Sequence, residues 1–544
     1  MTSCAHVMAR TLCDLGVKRM FGFPGGEILD FVEACRAGGI EFVLTRDEAT
    51  AAFMADATGQ LQRQPSVCVS TLGPGALNMA LGVANAYLDR SPVIAITAAV
   101  AASANSYVTH QNLDLNAIYR PFTKLSLTLD GENTASVVRH AYSLAKEQRP
   151  GPVHIAVPSD IGRAPDRQTK DGSGIPRATE PSMPPSSGQT ERIAAAIRGA
   201  QRPLVILGFD LDPQNHRASA RRFVDRLGAP VFVTPKAKGM LPEDHPLFFG
   251  VCAGVAADNL VVDFMGRADL LVGVGFDPVE SNKLWHRTMQ LISVSPCSIA
   301  AGAYRPALEC VGDVNQILQS LAAMDLGALE WPEDELNGFR ERFDAALRPS
   351  QRLQRGLSPY EVTRRLRALL PRDVIHVTDV GSVKFVTSQC WQTYEPQTFL
   401  LSNGLSSMSY AIPGAMAAKL LFPDRAVLCT IGDGGFGMTL CELETCVREG
   451  IHIVTVVYND SSLSLIRIAQ EYRGHANCGV DFSKVDFAAA AEAHGAWGAR
   501  VETMGDLDRA VTEAVRMRRP AVLDVSIDPT EYRSHAAPDI PRQL

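Results

Sequence analysis

The strongest restriction on the fold of this chain is a series of short apolar runs without regular polar alternation. Among 544 residues, such runs lie at 67–71, 92–98 and 153–157, at 203–208, 230–234 and 268–275, and at 374–378, 426–431, 451–458 and 521–527. Strands that are apolar on both faces are typical of parallel sheets covered by helices, because both faces are then buried. The sequence therefore predicts an α/β protein with three Rossmann-like, doubly wound parallel sheets.

Two stretches without hydrophobic periodicity divide the chain. The first is rich in Pro, Gly and Ser, and the second is a charged segment that joins two ordered regions. We predict an N-terminal domain at 1–165, a linker at 166–189, a central domain at 190–325, a second linker at 326–357, a C-terminal domain at 358–535 and a tail at 536–544.

The net charge and the cysteines limit the kinds of partner and the compartment that the sequence predicts. The net charge of −7 argues against a general affinity for nucleic acid or an anionic membrane surface. No apolar stretch is as long as a membrane-spanning helix, which needs about 20 residues, and no secretory signal is visible. The twelve cysteines include no C-x-x-C pair, which favours free thiols in a reducing compartment. We expect a cytoplasmic protein that acts on small molecules.

The most informative motif follows the apolar run at 426–431. This run leads into Gly432-Asp433-Gly434-Gly435, and the run at 451–458 ends in Asn459-Asp460. In a βαβ unit both strands end at the same sheet edge, so the two aspartates should be neighbours. Glycines and a following helix N-terminus suit a phosphate, and carboxylates beside a diphosphate suit Mg²⁺. The alternative is a tight turn in which Asp433 caps the helix.

The segment after Gly435 shows helical periodicity. Phe436, Leu440, Leu443 and Val447 recur at the spacing of one helix face, which predicts a single helix. A second helix is predicted over 47–61, where an alanine-rich apolar segment follows Glu48. An acid at this position can simply complement the dipole of the helix N-terminus.

These motifs resemble those of the thiamine diphosphate-dependent enzymes. The Gly432–Gly435 motif with Asn459-Asp460 resembles the family's cofactor signature, although the family usually has a second asparagine in place of Asp460. Further similar segments stand in family order at 23–26, 46–48, 71–78, 151–153, 379–382 and 401–408. The resemblance spans almost the whole chain. It implies a pyrimidine-binding domain, a central domain and a diphosphate-binding domain.

The resemblance also implies roles for individual residues. Asp433 and Asp460 would bind Mg²⁺ through their side chains, and Ser462 through its backbone carbonyl. Glu48 would hydrogen-bond N1′ of the aminopyrimidine and promote proton removal at the thiazolium C2. Ser406 would offer its carbonyl to the 4′-amino group, and Met408 would support the bent cofactor. Other implied cofactor contacts are Gly25, Gly26, Gly73, Asn78, Val380, Gly381, Ser382, Gly432, Gly434, Gly435 and Leu465.

Further segments resemble acetolactate synthases, especially the catabolic kind. They are 110–114, 120–124, and 276–280 with Leu284 and Trp285. Gln111 would hydrogen-bond an oxygen of an intermediate, and His110 would shuttle a proton, although both could be polar residues of an ordinary loop. The run at 273–279 lacks the arginine of the biosynthetic enzymes' FAD-contacting stretch, which makes FAD a doubtful cofactor.

Two residues differ from the pattern of the acetolactate synthases at positions that bear on the substrate. Ala469 stands where the biosynthetic enzymes carry a tryptophan that selects the acceptor, so a bulkier acceptor would fit. Glu27 stands where catabolic members carry lysine, and a carboxylate there disfavours an anionic substrate.

The resulting hypothesis is a carboligase that decarboxylates pyruvate or a related 2-keto acid and adds the remaining carbanion equivalent to a second carbonyl. The first alternative is a decarboxylase that releases an aldehyde. The second is a cofactor-binding regulatory subunit without turnover. The resemblance implies a homodimer or homotetramer, because in the family the cofactor lies between the first domain of one copy and the last domain of its partner.

Overall fold

The computed structural model describes residues 2–168, 187–252, 254–280, 290–300, 304–348, 353 and 355–536. Across these residues the strands form three six-stranded sheets, and every strand pairing within them is parallel. Because helices connect most of the successive strands, both faces of each sheet can be covered. The predicted fold class is confirmed.

The strands follow the chain in order. The first sheet contains β1 Arg19–Phe23, β2 Glu41–Leu44, β3 Ser66–Ser70, β4 Val93–Ala99, β5 Leu125–Thr128 and β6 Val153–Pro158. The second contains β7 Pro203–Leu207, β8 Val231–Val233, β9 Phe248–Val251, β10 Leu270–Val274, β11 Gln290–Ser295 and β12 Leu308–Val311. The third contains β13 Ile375–Thr378, β14 Phe399–Leu401, β15 Val427–Gly432, β16 Val454–Asn459, β17 Trp497–Val501 and β18 Ala521–Ser526.

In each sheet the direction of strand order reverses between two inner strands. The spatial orders are β2-β1-β3-β4-β6-β5, β12-β11-β10-β7-β8-β9 and β14-β13-β15-β16-β18-β17. The reversals therefore lie between β1 and β3, between β7 and β10, and between β13 and β15. Loops diverge there at the carboxyl edge of the sheet, and this is where doubly wound proteins bind ligands.

The helices complete the layers. Their bounds are α1 Cys4–Asp14, α2 Leu29–Ala37, α3 Glu48–Gln62, α4 Pro74–Leu88, α5 Leu115–Tyr119, α6 Thr134–Lys146, α7 Ser159–Arg163, α8 Ser187–Gly199, α9 Pro213–Leu227, α10 Asp258–Met265, α11 Val314–Ala323, α12 Glu333–Leu347, α13 Pro359–Leu369, α14 Ser382–Cys390, α15 Ala411–Leu421, α16 Asp433–Thr439, α17 Glu442–Arg448, α18 Ser464–Tyr472, α19 Phe487–Ala493, α20 Met504–Arg516 and α21 Tyr532–Ala536. None of the helices in the described part of the chain has the length and apolar character needed to span a bilayer.

The strands that sequence analysis missed lie mostly at the sheet edges. Apolar runs predicted most of the inner strands, whereas β5, β9, β12, β14 and β17 are terminal in their sheets. An edge strand is less enclosed and tolerates polar residues, as in β17, where Arg500 is exposed and the first three residues are half-buried. Its sequence therefore lacks the continuous apolar run of a central strand.

The single helix predicted after Gly435 is wrong. The segment forms two short helices, α16 and α17, with a break after Thr439. Phe436 and Leu443 are buried, but Val447 is 39% exposed, so the predicted apolar face is not continuous. Three glycines in α16 lower its helix propensity. The prediction from hydrophobic periodicity did not take this low propensity into account.

By packing, the chain divides into two compact units. Unit 1 comprises Met1–Glu180, Gly404–Pro423 and Thr439–Ile451, and unit 2 comprises Pro181–Asn403, Asp424–Met438 and His452–Leu544. The linker predicted at 166–189 and the tail at 536–544 lie mostly outside the described residues. The domain limits stay a prediction.

Helix α3 forms the centre of unit 1. It is buried along most of its length, and its small residues let α4 approach closely. An added Cβ at Gly82 of α4 would lie 2.5 Å from Cβ of Ala52. On another side, the rings of Phe53 and Tyr410 meet edge to face at 5.7 Å, which packs α15 against α3. Close packing on both sides holds the N-terminal turn of α3 in a defined position.

A buried ion pair joins the central and C-terminal sheets within unit 2. Lys238, in the segment after β8, contacts Glu243, and both side chains are inaccessible to solvent. Nζ of Lys238 also donates to the carbonyl oxygens of Ser388 at 2.8 Å and Trp391 at 3.0 Å, at the end of α14. Every charge in this group therefore has polar partners, as burial requires.

We expect K238M to destabilise the protein strongly. The substitution leaves the Glu243 carboxylate buried without its partner, a change that costs about 3–5 kcal/mol in the free energy of unfolding. Urea unfolding followed by circular dichroism measures the loss. R365M is the matched control, because Arg365 pairs with Asp508 at the surface and should lose far less. Equal losses in the two variants would contradict this role of the pair.

Candidate active site

Two adjacent strand ends bring Asp433 and Asp460 together in unit 2. Strands β15 and β16 pair in register with Gly432 opposite Tyr458, so both aspartates leave the sheet at its carboxyl edge. The Asp433 carboxylate accepts hydrogen bonds from the backbone N–H groups of Gly434, Ser461 and Ser462. The loop that carries Asp460 therefore contacts Asp433 directly.

Asp460 is held by its own loop. Its Oδ1 accepts a hydrogen bond from the backbone N–H of Ser462 at 3.0 Å, and its Oδ2 accepts one from the Ser464 hydroxyl. Ser461 has a φ of 62°, a left-handed conformation that turns the loop back sharply. These bonds fix the position of the carboxylate, whose negative charge acts on Asp433. We use the name aspartate cluster for Asp379, Asp433, Asp460 and Ser462.

Burial raises the affinity of both carboxylates for positive charge, and the charge of Asp460 raises that of Asp433 further. Asp433 is 7% exposed and Asp460 is 8% exposed. Burial, followed by the negative charge of Asp460, raises the pKa of Asp433 to about 7. Burial likewise raises the pKa of Asp460. A divalent cation between the carboxylates would favour their ionised forms.

The donor set fits Mg²⁺ together with a phosphate group. Two carboxylates and the Ser462 carbonyl supply hard oxygen ligands. Among the described residues no group of three His, Cys, Asp or Glu side chains could hold a metal. Mg²⁺ is commonly bound by one or two carboxylates, with phosphate oxygens and water completing its shell. The cluster therefore suits a metal that arrives with a phosphorylated ligand.

Glycines allow the backbone of β13 and β15 to come together at the strand-order reversal of the third sheet. Gly435 packs against Asp379, which follows β13, and an added Cβ at Gly435 would overlap Oδ2 of Asp379. Gly381 has a φ of 114°, which favours glycine, and it precedes the nine-residue helix α14. Val380, Gly381 and Ser382 are half-buried at the start of this helix, a position that favours an anion.

Other predicted contacts of unit 2 lie near the same loop. Leu465 and Ala469 are half-buried in α18, directly after Ser464. Sequence analysis missed Arg355, whose Nη2 donates to the Asp460 carbonyl at 3.2 Å. Arg355 lies in the predicted second linker, and no local motif marks it as a neighbour of Asp460. Ser464 was also missed, because a serine after a motif carries no distinct signal.

In unit 1, Glu48 is a buried side chain with a specific partner. It is the first residue of α3, and its Oε2 accepts a hydrogen bond from Nδ2 of Asn78 at 3.1 Å. The helix cap is Asp47 instead, which accepts from the N–H of Ala49 at 2.7 Å. Glu48 is therefore not needed as a cap. An added Cβ at Gly75 would lie 2.9 Å from its Oε1, so glycine leaves this carboxylate room.

The loops after β1 and β3 contact each other at the strand-order reversal of the first sheet, and the segment after β3 reaches Glu48 at Gly75. Phe23 pairs with Ser70, so the two loops start side by side. Gly25 packs on Thr71, where an added Cβ would overlap Oγ1. The Thr71 hydroxyl donates to Oε2 of Glu27 at 2.9 Å. We use the name glutamate cluster for Glu27, Glu48, Thr71, Asn78 and Gln111.

Gln111 reaches the glutamate cluster from a separate loop. It has a φ of 55°, and an added Cβ at Gly73 would lie 2.9 Å from its Cβ. Gly73 itself has a φ of 59°, so both its conformation and its neighbour favour glycine. Gln111, Leu72 and Asn105 line a cavity of about 540 Å³. His110 is exposed beside Gln111.

The remaining predicted contacts are spread over the two units. Gly26 is exposed at the start of a short 3₁₀ turn in unit 1. Ser406 is exposed with a φ of 55°, and Met408 is half-buried, both in the part of unit 1 that precedes α15. In the central sheet, Glu280 is buried and accepts from the N–H groups of Phe209 and Lys236. Leu284 and Trp285 lie outside the described residues.

Comparisons with known proteins agree with this organisation. Three family models match in order: the N-terminal TPP binding domain of thiamine pyrophosphate enzymes at residues 2–118, their central domain at 190–321, and their C-terminal TPP binding domain at 379–525. The catabolic acetolactate synthase of Raoultella terrigena is 30% identical, over 94% of this chain and 93% of the relative.

Other relatives are similar over nearly their full lengths. The acetolactate synthase of Bacillus subtilis (strain 168) is 28% identical, over 99% of this chain and 96% of the relative. The large subunit of acetolactate synthase isozyme 3 of Escherichia coli (strain K12) is 30% identical, over 98% of this chain and 96% of the relative.

We expect G435A to weaken binding of thiamine diphosphate. Since an extra methyl in a packed site costs about 1–3 kcal/mol, the half-saturating cofactor concentration should rise about 5-fold to 150-fold. Thermal shift titration at saturating Mg²⁺ measures it. G437A lies on the same helix, and its Cβ meets nothing within 4 Å. It should bind like the parent, and an equal loss in both variants would contradict the role of Gly435.

Proposed function

Because the chain belongs to the thiamine pyrophosphate enzyme family, we propose that it is a thiamine diphosphate- and Mg²⁺-dependent carboligase of acetolactate synthase type. A 2-keto acid such as pyruvate loses CO₂, and its acyl carbon bonds to the carbonyl carbon of a second substrate. The acceptor oxygen takes up a proton, and no oxidant or reductant is consumed. The observation that carries the proposal is the buried Asp433–Asp460 pair, set at the end of paired strands inside the matched C-terminal domain.

The aspartate cluster would hold the metal and the diphosphate. Side-chain oxygens of Asp433 and Asp460 and the carbonyl of Ser462 would bind Mg²⁺. The start of α14, at Gly381 and Ser382, would face the anionic diphosphate. When bound, the cofactor supplies an electron sink for the carbon that loses CO₂.

Glu48 would hold and return the proton at N1′ of the aminopyrimidine. Its burial and its hydrogen bond from Asn78 support this role, because they fix the carboxylate while Asp47 caps the helix. Gln111 would donate its amide hydrogen bond to a substrate oxygen. His110 would exchange a proton beside it. Met408 and the Ser406 carbonyl would position the pyrimidine, and Ala469 would leave room for the acceptor.

A homodimer is the smallest assembly we propose, with a homotetramer as an extension. The glutamate cluster and the aspartate cluster belong to different packing units, and the family resemblance places the cofactor between two copies. Large apolar side chains are exposed close to each cluster. Leu77 and Leu81 flank Asn78 on α4, and Met438, 59% exposed, follows Asp433 on α16. A second copy would bury these surfaces.

A reducing cytoplasm is the compartment we propose. All twelve cysteines lie in the described part of the chain as thiols outside disulfides, and most are buried.

Product analysis tests the function. The full-length protein with thiamine diphosphate and Mg²⁺ is given a panel of 2-keto acids, and CO₂ release and products are measured. Acetolactate or another hydroxyketone product is expected. Free aldehyde as the sole product would identify a non-ligating decarboxylase instead. The absence of CO₂ release from every keto acid would overturn the proposal.

We expect E48Q to lower turnover at least about 100-fold, because an amide cannot exchange the proton at N1′. Its Asn78 contact can persist, so cofactor binding by thermal shift should remain within about threefold of the parent. Full activity of E48Q would remove Glu48 from the mechanism. Loss of cofactor binding together with turnover would indicate a structural role only.

We expect D460N to need more Mg²⁺. The amide removes one negative charge from the metal ligands, so the half-saturating Mg²⁺ concentration should rise about tenfold. The measurement is a Mg²⁺ titration of the thermal shift at fixed thiamine diphosphate, after treatment with chelator. D508N is the control, because Asp508 on the surface helix α20 pairs with Arg365 and does not line the cavity beside Asp460. An unchanged Mg²⁺ requirement in D460N would exclude Asp460 as a ligand.

A further inference from the structure

Glu27 is a second carboxylate in the glutamate cluster that the proposed mechanism does not use. It follows the Gly25-Gly26 turn after β1 and is half-buried. Its Oε2 accepts the hydrogen bond of Thr71 at 2.9 Å. A hydroxyl donor fixes the position of the carboxylate and leaves its negative charge in place.

The contacts of Thr71 place Glu27 close to Glu48. Cγ2 of Thr71 and Oε1 of Glu48 each lie 2.9 Å from the point that a Cβ of Gly75 would occupy. The Thr71 methyl group and the Glu48 carboxylate therefore both face Gly75, while the Thr71 hydroxyl holds Glu27.

The loop that holds Glu27 also contacts Gln111. Thr71 contacts Glu27, and Gly73, two residues later, packs against Gln111. The short loop at 71–73 therefore contacts both Glu27 and the residue proposed to orient the substrate. Any substrate hydrogen-bonded by Gln111 would lie in the field of the Glu27 carboxylate.

This charge acts differently on the two substrates of a carboligase. The donor keto acid loses its carboxylate as CO₂. Repulsion between Glu27 and the donor therefore ends once CO₂ has left. An acceptor keto acid keeps its carboxylate while the new carbon–carbon bond forms, so repulsion persists. A fixed like charge is an effective means of rejecting one substrate class.

We propose that Glu27 selects a neutral carbonyl compound, of the aldehyde class, as the acceptor in place of a second 2-keto acid. The inference rests on the proposed function, and it names the class of the second substrate. Bond formation joins the donor acyl carbon to the aldehyde carbon, and the aldehyde oxygen takes up a proton. The product is an uncharged hydroxyketone.

The test is a competition between two acceptors that differ by one carboxylate. The holoenzyme receives the keto acid donor that releases CO₂ fastest, with equal concentrations of propanal and 2-ketobutyrate. Products are quantified by NMR without acid treatment, and CO₂ is measured in the same sample. The variants are E27Q and E27K. E33Q is the matched control, because Glu33 lies on α2, exposed and paired with Arg36.

The parent and E33Q should form mainly the propanal product. E27Q should shift the product ratio about tenfold toward 2-ketobutyrate, and E27K should shift it further. The Gln amide oxygen can still accept the Thr71 hydrogen bond, so E27Q changes the charge with little change in shape. An equal ratio in parent, E27Q and E27K would overturn the inference. A change in aldehyde release with no change in this ratio would overturn it as well.

A measurement on the parent alone keeps the inference testable if a variant fails to fold. The methyl ester of 2-ketobutyrate is a neutral counterpart of the acid, so the parent should use the ester in preference. Preference for the free acid would overturn the inference. Absence of CO₂ release from any donor would overturn the proposed function instead, so the two failures are distinguishable.

Discussion

Parallel pairing of strands at the strand-order reversals is the constraint on which the candidate site depends. Pairing of β1 with β3 sets Gly25 and Thr71 side by side, and pairing of β13 with β15 sets Asp379 against Gly435. In both cases two loops leave the same edge in different directions and open a crevice. The chemistry-bearing side chains stand on these loops, while the sheets beneath them stay rigid.

Burial then makes those side chains reactive. Carboxylates removed from water bind protons and cations more strongly, which is why the pKa of Asp433 rises to about 7. The fold supplies compensating backbone N–H groups from Gly434, Ser461 and Ser462. Glu48 is treated differently, since it is buried with a side-chain amide partner. Similar residues in the two clusters thus suit two tasks, metal binding and proton exchange.

Glycines mark where backbones must approach each other. Gly25, Gly75 and Gly435 each face an oxygen or methyl group of a cluster residue that a Cβ would crowd. Their small size brings Thr71, Glu48 and Asp379 to the strand ends. Gly437, in contrast, faces open space, although it belongs to the same glycine-rich helix as Gly435. Composition alone does not separate these two kinds of glycine.

The amino-acid sequence by itself determined the fold class, most of the inner strands and the family, because buried parallel strands and cofactor motifs are local patterns in the chain. It also predicted that Asp433 and Asp460 would be neighbours, from the rule for βαβ units. Edge strands such as β17, the break between α16 and α17, and the approach of Arg355 to Asp460 depended on tertiary structure. These features arise from contacts between distant segments, and such contacts leave no periodic signal. The position of the Glu27 charge beside Thr71 was likewise decided only when β1 paired with β3.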